Sequence, residues 1–400
     1  MKKLTISAVL LCWTMLAAAQ YQDVKEKKAE GNRPLAEFVN QQKVLWNFDW
    51  DFSFGKEQKE WRHVDLPHDF QFEQPWTKDG GGARGFKPMC EGWYRKTFVA
   101  DEAWKGLSVK LKGIIDGNGL RFWEEFWIRR KWNKKCTNLE ALRPQLVYIS
   151  DSKDVTVQDV RLVNSPFWTN HLYRCERVKY IDCHIESPTF GDYHAPSSDA
   201  IDLDVCEDVV VRGCYMNICD DAVCLKGGKG TFVDRDSTAG PVNRVLVEQC
   251  RFGNHVNAAV TFGSEAWNCH NVIMRNSQME NAHRLLLFKM RPDTPQQYGD
   301  VLVEHCMGVT QHSAIEASTW TQFYNKQERE DMPVSSVRNV TIRNTEIKTA
   351  NFLKVEMKQP FVLSDFTLQD IKVEDKYNRF DVGKIEHLTI KNVELNGKKK

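Results

Sequence analysis

The stretch DVTVQDV at residues 154–160 opens a repeat that decides the fold. Each copy is a polar residue, then apolar–x–apolar, then two polar residues and a small or medium side chain. About nine copies occur, the others being RVKYIDC (177–183), DVVVRGC (208–214), RVLVEQC (244–250), NVIMRNS (271–277), DVLVEHC (300–306), NVTIRNT (339–345), DFTLQDI (365–371) and HLTIKNV (387–393). Alternation with period two predicts a short strand with one buried face. A fixed strand separated by variable gaps is typical of stacked coils, so we predict a parallel β-helix; the alternative, a leucine-rich solenoid, would need a Leu and Asn signature that this repeat lacks.

Cysteines recur in two registers of this repeat. Cys183, Cys214, Cys250 and Cys306 end four copies, and a second row, Cys175, Cys206 and Cys269, precedes the copies by a constant interval. Buried cysteine behaves as a small hydrophobic residue. We therefore interpret both rows as core ladders rather than as a disulfide framework. The lack of a CxxC pair argues against a zinc site, and we expect neither a metal nor a cofactor.

A second apolar strand follows in each coil, namely AIDLD (200–204), AVCLK (222–226), AVTFG (259–263), LLFKM (286–290) and AIEAS (314–318). In a β-helix these strands stack about 4.8 Å apart. The stacking is expected to gather acidic and basic side chains on one outer face: Asp199, Asp202, Asp204, Asp220, Asp221, Lys226, Lys289 and Arg291. Carboxylates held close together do not all ionise, which creates an acid beside a base, as glycoside hydrolysis requires. We expect adjacent coils to leave room for a water between the carboxylates, and hence inversion at the anomeric carbon.

Composition and the chain start narrow the class of protein. The formal net charge of +1 favours neither nucleic acid nor a membrane surface. Residues 1–20 combine Lys2 and Lys3, an apolar run and Ala17-Ala18-Ala19, which predicts a cleaved export signal. No later segment has the length and apolarity of a membrane span. We therefore expect export to the periplasm or the cell exterior. We also expect a monomer.

Several phrases in residues 113–330 resemble the polygalacturonase family, glycoside hydrolase family 28, and the repeat continues to about residue 397. The matching phrases are GIIDGNG (113–119), RPQLVYISD (143–151), NSPFW (164–168), HLYRC (171–175), APSSDAIDLD (195–204), DDAVCLKGGKG (220–230), FGSE (262–265), KMRPDTPQQY (289–298) and WTQF (320–323). The resemblance implies a right-handed parallel β-helix over residues 113–397 that acts on a pectic, acidic saccharide. It also implies that Asp220 is the general acid, that Asp199 and Asp221 hold the attacking water, and that Lys289 grips a substrate carboxylate. We add Lys226, Asp202, Arg291 and His255 as candidate substrate-binding residues.

The sequence departs from the family pattern at three motifs. The Gly-His-Gly motif is missing before FGSE: Asn257 or Ala258 occupies the histidine position, and His255 lies slightly upstream. Leu287 stands where the family's Arg-x-Lys motif has arginine, with Arg284 and Arg291 as possible substitutes. Ser197 replaces the usual asparagine. These changes favour either a substrate other than plain polygalacturonic acid or impaired catalysis.

Residues 45–109 resemble a different family, the start of the sugar-binding β-sandwich domain of family-two β-galactosidases. The matching phrases are WNFDWDFSFG (46–55), WRHVDLPHDF (61–70), EGWYRKTF (91–98) and WKGLSVKL (104–111). The resemblance implies a short, truncated β-sandwich-like module over residues 35–110, without galactosidase chemistry. We expect this module to cap the solenoid, with a poorly folding fusion relic as the alternative.

Three functions are compatible with these features. The first is a hydrolase of pectic polysaccharide, of the polygalacturonan or rhamnogalacturonan type. The second is a carbohydrate-binding β-helix with impaired catalysis, which the missing motifs favour. The third is a pectate-lyase-like enzyme, which would need calcium and an arginine base and therefore fits paired aspartates less well.

Overall fold

The computed structural model describes residues 3–10 and residues 48–400, except 56–58, 66–67, 69, 71–72, 78–86, 88–91, 100–112, 138–140, 142 and 359. The chain forms two compact units, Met1–Asp116 and Gly117–Lys400. Residues 11–20 of the predicted export signal lie outside the described residues, and Lys3–Leu10 forms a strand. The export signal therefore stays a prediction. None of the helices in the described ranges has the length and apolar character needed to cross a bilayer.

The first unit is built on an antiparallel sheet. Its strands are β1 (Lys3–Leu10), β2 (Trp50–Phe54), β3 (Arg62–Val64) and β4 (Gly92–Val99), which pair in the order β1-β4-β2-β3. A further strand, β5 (Gly113–Asp116), ends the unit and is not part of this sheet. Phe52 and Phe70 are buried with their ring centroids 5.1 Å apart. A side chain at Gly92 would meet the Phe70 ring at 2.6 Å, so this position requires glycine. The assignment of residues 35–110 as a capping sandwich fragment stays a prediction.

The second unit contains a helix followed by a long parallel sheet wound into coils. The helix is α1 (Leu120–Trp132). The strands of the first coils are β6 (Val147–Ser150), β7 (Thr156–Gln158), β8 (Val160–Val163), β9 (Asn170–Tyr173), β10 (Glu176–Ile181), β11 (His184–Glu186), β12 (Ile201–Asp204), β13 (Glu207–Arg212), β14 (Tyr215–Asn217), β15 (Val223–Leu225), β16 (Val242–Glu248), β17 (Arg251–Phe252) and β18 (Val260–Phe262). The later strands are β19 (Asn268–Arg275), β20 (Gln278–Met290), β21 (Gln297–Glu304), β22 (Met307–Thr319), β23 (Ser335–Thr349), β24 (Leu353–Glu356), β25 (Phe361–Asp375), β26 (Thr389–Leu395) and β27 (Lys398–Lys399).

Every copy of the repeat coincides with a strand of this sheet, and successive copies pair in parallel and in register. Val178 lies beside Val209, Val209 beside Val245, and Val245 beside Val272, all four of them buried. Fully burying a side chain of this kind contributes roughly 1.5–3 kcal/mol. The predicted parallel β-helix is thus confirmed, including its nine repeat strands.

The polar positions of the repeat have a backbone role. The first and sixth residues of a copy adopt left-handed conformations, as at Asp154 and Asp159 (φ 60° and 55°) and at Asn339 and Asn344 (φ 54° and 48°). Aspartate and asparagine tolerate this region better than other residues with a side chain. The repeat therefore encodes both a strand and the turns that bound it.

The two cysteine rows are core ladders, as predicted. All seven of their thiols are buried and free, and the sulfurs donate to main-chain carbonyls of the neighbouring coil, as Cys250 does to Val211 at 3.5 Å. The hydrogen bond with the Cys183 thiol lowers the pKa of Cys214, but the Cys250 thiol and burial outweigh it and raise this pKa to about 12. The Cys214 thiol therefore stays protonated at neutral pH, and buried thiols of this kind act as packing groups.

Helix α1 is a departure from the predicted all-β architecture. Trp123 and Phe126 bury one side of it, and the Trp123 indole donates to the Ser165 carbonyl at 3.1 Å. The Trp127 indole donates to the His194 carbonyl at 2.7 Å. Apolar residues at i, i+3 and i+4 are the helical signal that identifies such a segment. The helix is therefore anchored to coil turns by two tryptophans.

Candidate active site

Three aspartates lie close together just before β12 and β15, two paired strands of adjacent coils. Asp199 precedes β12, and Asp220 and Asp221 precede β15, which pairs with β12 in parallel. The Ala200 amide donates to the Asp221 carbonyl at 2.9 Å, which aligns the two coils just before these strands. One carboxylate oxygen from each aspartate lies within 4.8 Å of the other two. The structure thus brings the three predicted catalytic residues together.

Asp221 is the fixed anion of this cluster. The Lys289 ammonium donates to its Oδ2 at 2.6 Å, and the Asn257 amide donates to its Oδ1 at 2.7 Å. Burial alone would raise the pKa of Asp221, but the charge and hydrogen bond of Lys289 hold it below its usual value. Asp221 is fully buried and Lys289 nearly so, which strengthens their attraction.

The pKa values of Asp199 and Asp220 are shifted upward, opposite to that of Asp221. Burial, reinforced by the Asp221 charge, raises the pKa of Asp220 to about 6. Burial, reinforced by the Asp220 charge, raises the pKa of Asp199 well above its usual range. Asp220 is half-buried, whereas Asp199 is buried and its Oδ1 has no hydrogen-bond partner among the described residues. The cluster therefore pairs an anion with proton-holding carboxyls, the arrangement that acid–base chemistry needs.

The spacing of the carboxylates is closer than expected from the sequence. Inverting glycosidases typically separate their two carboxyl groups by about 6.5–9.5 Å. Here the nearest oxygens of all three aspartates lie within 4.8 Å. Separation alone therefore does not predict inversion.

Lys226 forms a second cluster on the same face. Its ammonium lies 3.3 Å from Asp202 Oδ1, 3.4 Å from Glu265 Oε2 and 4.2 Å from the centroid of the Trp168 ring. Burial raises the pKa of Asp202 to about 7, against the opposing charge of Lys226. Asp202 is fully buried and its carboxylate faces Lys226. Its role as a substrate-binding residue stays a prediction.

Arg291 is held by contacts within the protein, and its role as a substrate-binding residue stays a prediction. Its guanidinium is buried and forms a two-pronged ion pair with Asp293, at 2.8 Å for each bond. It further donates to the carbonyls of Gln322 at 2.7 Å and Phe323 at 3.2 Å. The side chain thus joins Asp293 to the loop that follows β22.

His255 takes part in a different set of contacts from the aspartates. It is half-buried, has a φ of 68°, and its ring lies edge-on to His283 at 5.8 Å. His283 in turn stacks on His312 at 4.4 Å. Asn257, one of the two residues aligned with the missing histidine, donates to Asp221 Oδ1 at 2.7 Å. His255 as a substrate-binding residue stays a prediction.

A hydrogen-bonded chain behind Asn257 escaped the sequence analysis. Arg284 Nη1 donates to Asn257 Oδ1 at 2.7 Å, and Arg284 Nε donates to Glu316 Oε2 at 2.7 Å. This orients the Asn257 amide so that its NH₂ faces Asp221. Arg284 therefore acts through Asn257, and the available signal was that its strand, β20, pairs with β22, which carries Glu316.

The aspartate cluster could offer three oxygens to a cation. However, Lys289 and Asn257 already donate to both oxygens of Asp221. A metal would have to compete with an ammonium for the same carboxylate. A carboxylate that accepts these hydrogen bonds suits the role of a base better than that of a metal ligand.

Two cavities differ in their relation to the aspartates. A cleft of about 420 Å³ is lined by Asp220 together with Ser197, His194 and residues of α1. A larger groove of about 600 Å³ runs along the outer face of β7, β10, β13, β16 and β19, and none of the predicted site residues lines it. The smaller cleft is thus the one connected with the candidate chemistry.

A known protein family matches the part of the chain that contains these aspartates. Residues 89–284 match the family described as glycosyl hydrolases family 28. The matched residues make up just under half of the chain. A polygalacturonase from Juniperus ashei is 28% identical over 142 residues, which are 36% of this chain and 27% of that protein. The chain thus matches only about a quarter of the length of this curated family 28 relative.

The fold is shared with a solved structure of the same kind. An exopolygalacturonase from Thermotoga maritima aligns with a TM-score of 0.56 and 21% identity, over 69% of this chain and 60% of that one. The right-handed parallel β-helix expected for family 28 is therefore the fold of this chain.

The front segment has a relative of another type. A β-galactosidase from Bacteroides ovatus is 36% identical over 78 residues, which are 17% of this chain and 9% of that protein. The match agrees with the resemblance of residues 45–109 to family-two β-galactosidases. Because it covers so little of the relative, it carries no activity to this chain.

Proposed function

We propose that this protein is a glycoside hydrolase that cleaves a pectic polysaccharide. One observation carries the proposal: three aspartates lie within 4.8 Å of one another, and their pKa values are shifted in opposite directions. A carboxyl that keeps its proton beside a carboxylate that has lost it is the minimum equipment for breaking a glycosidic bond. The family 28 match supports the same reaction class.

The roles follow from burial and charge. Asp220, half-buried in the cleft, donates its proton to the glycosidic oxygen as the bond to the anomeric carbon breaks. Asp221, anionic beside Lys289, takes a proton from the water that attacks that carbon. Asp199 accepts a hydrogen bond from the same water through its unpartnered Oδ1. The reducing-end product leaves with the proton from Asp220, and Asp221 holds the proton from water.

We infer inversion at the anomeric carbon from the hydrogen bonds that the carboxylate oxygens already accept, and not from the distance between the carboxylates. A retaining enzyme needs a carboxylate oxygen free to form a covalent bond with the sugar. Both oxygens of Asp221 accept hydrogen bonds, and Asp199 is buried. Water is therefore the nucleophile.

The acidic class of substrate is supported by the relatives and by the lysines near aromatic rings. The relative from Juniperus ashei is named a polygalacturonase. Lys289 lies 4.6 Å from the centroid of the Trp320 ring, and Lys226 lies beside Trp168. An aromatic face next to an ammonium suits a sugar ring that carries a carboxylate. Lys289 remains our candidate contact for that carboxylate, with Lys226 behind it.

A second candidate is a binding protein that has lost turnover. Asn257 cannot exchange protons as the histidine of the family motif could, and Leu287 removes one cation from the groove. Product analysis separates the candidates. The protein is incubated with oligogalacturonides and rhamnogalacturonan fragments, with and without a chelator. We expect saturated products that form despite chelation. Unsaturated, calcium-dependent products would indicate a lyase, and binding without products would indicate the second candidate.

The proposed acid predicts how the rate depends on pH. Asp220 has a pKa of about 6 and must be protonated, whereas Asp221 must be ionised. We expect kcat/KM to fall about tenfold per pH unit above roughly pH 6 and to stay high down to pH 4, because the Asp221 pKa is lowered. Initial rates between pH 3.5 and 8.5 at constant ionic strength measure this. A rate that stays flat up to pH 8 would contradict the role of Asp220.

A further inference from the structure

Helix α1 and the turn after it form one wall of the cleft that contains Asp220. Arg130, Lys134 and Lys135 line this cleft together with Asp220. Its volume of about 420 Å³ lies in the range of small-molecule sites. A positively charged wall thus shares a cavity with the candidate general acid.

The three cations are exposed and available. Within the described part of the chain, none of Arg130, Lys134 and Lys135 has an ion-pair partner. The neighbouring cations differ: Arg129 pairs with Glu125 at 2.7 Å, and Arg143 is buried and donates to the Pro166 carbonyl. Charges gathered without counter-charge at a cavity are attracted to an anion.

The helix dipole does not account for this arrangement. A basic residue in the last turn of a helix is stabilised by the carbonyl end of the dipole, and this effect explains the position of Arg130. Lys134 and Lys135 lie beyond the last helical residue, Trp132. Their position at the cleft therefore needs another explanation.

The wall is also held in place. Trp123 and Trp127 fasten α1 to the carbonyls of Ser165 and His194, and His194 lines the same cleft. Arg130 lies on this anchored helix, and Lys134 and Lys135 follow it within three residues of its end. Cations on or next to an anchored helix hold a ligand more accurately than cations on a free loop. Arg130 also lies 5.6 Å from the Phe126 ring centroid, which restrains its side chain.

We propose that Arg130, Lys134 and Lys135 form a binding site for the carboxylates of an acidic saccharide that enters the Asp220 cleft. The proposal rests on the proposed function for the identity of the saccharide. Guanidinium and ammonium groups bind carboxylates through charge-assisted hydrogen bonds. The site supplies cations to a groove in which Leu287 replaces an arginine, so α1 determines the preference for acidic over neutral sugars.

The test compares two triple variants that remove equal charge. Arg130→Gln/Lys134→Gln/Lys135→Gln removes the site, and Arg121→Gln/Arg129→Gln/Lys131→Gln removes three other cations of the same helix. Isothermal titration calorimetry measures Kd for trigalacturonate and for its methyl ester. We expect the site variant to weaken trigalacturonate binding about tenfold at low salt, with less than a twofold change in the control and for the ester. The difference should shrink at 0.5 M salt because the charges are exposed.

A second variant controls for misfolding of the triple variant. Lys134→Gln/Lys135→Gln leaves the helix intact, and we expect a threefold to fivefold rise in Kd, in KM wherever turnover is measurable, and no change in kcat. Equal Kd values for the site variants and the control would overturn the proposal. Cation-dependent binding without turnover would overturn the hydrolase function alone. Failure of the unmodified protein to bind trigalacturonate would overturn both.

Discussion

Replacing Asp220 with asparagine is expected to lower kcat on a pectic oligosaccharide by about 10³-fold, because an amide cannot protonate the leaving oxygen. The fold should tolerate the change. Asp220 Oδ1 accepts the Asp221 amide at 3.0 Å, and an asparagine carbonyl can do the same. Stopped or continuous assays of reducing-end release measure kcat, and thermal unfolding measures stability.

The expected sign of the stability change follows from the raised pKa. A carboxyl whose pKa is higher in the folded state, here about 6, stabilises the fold below the unfolded pKa and loses that contribution as the pH rises through 6. At pH 7 the Asp220→Asn variant should therefore have an equal or slightly higher Tm. Asp192→Asn, an exposed carboxylate in the preceding loop, is the matched control and should leave kcat unchanged. An unaltered kcat in Asp220→Asn would remove this residue from the mechanism.

Replacing Lys289 with methionine is expected to destabilise the protein by about 3–5 kcal/mol and to abolish turnover. The change leaves the Asp221 carboxylate buried without its 2.6 Å partner, and an unpaired buried charge is costly. Denaturant unfolding at pH 7 measures the free energy. The loss should be smaller near pH 4, because burial then raises the Asp221 pKa and protonation removes the charge.

The double variant Lys289→Met/Asp221→Asn tests the cause of this loss. With no charge left to bury, it should recover at least half of the lost stability while remaining inactive. If the double variant is as unstable as Lys289→Met, packing of the lysine stem rather than charge explains the effect.

The repeat could be read from the sequence because its period is local. Alternation within seven residues fixes which side chains are buried, and the left-handed positions select Asp and Asn at the turns. Stacking then follows, and with it the meeting of Asp199 with Asp220 and Asp221. The aspartate cluster was thus predictable once the coils were aligned.

The side-chain partners within the site were less predictable. Whether Asp202 faces the groove or Lys226, and whether Arg291 binds Asp293 or a substrate, depends on rotamers and on the loops packed above them. The Asn257–Arg284–Glu316 chain spans three coils and has no counterpart in the family phrases used for comparison. The repeat pattern did not predict helix α1, because alternation with period two indicates strands, whereas the apolar residues of this segment have period 3.6.

The ten thiols in the described part of the chain are all unpaired. The solenoid therefore owes its cohesion to packing and to main-chain hydrogen bonds, and its assembly has no oxidative step among these residues. Production in a reducing bacterial cytoplasm should give the same coil as production in an oxidising compartment, so recombinant work on the protein can dispense with disulfide-forming hosts.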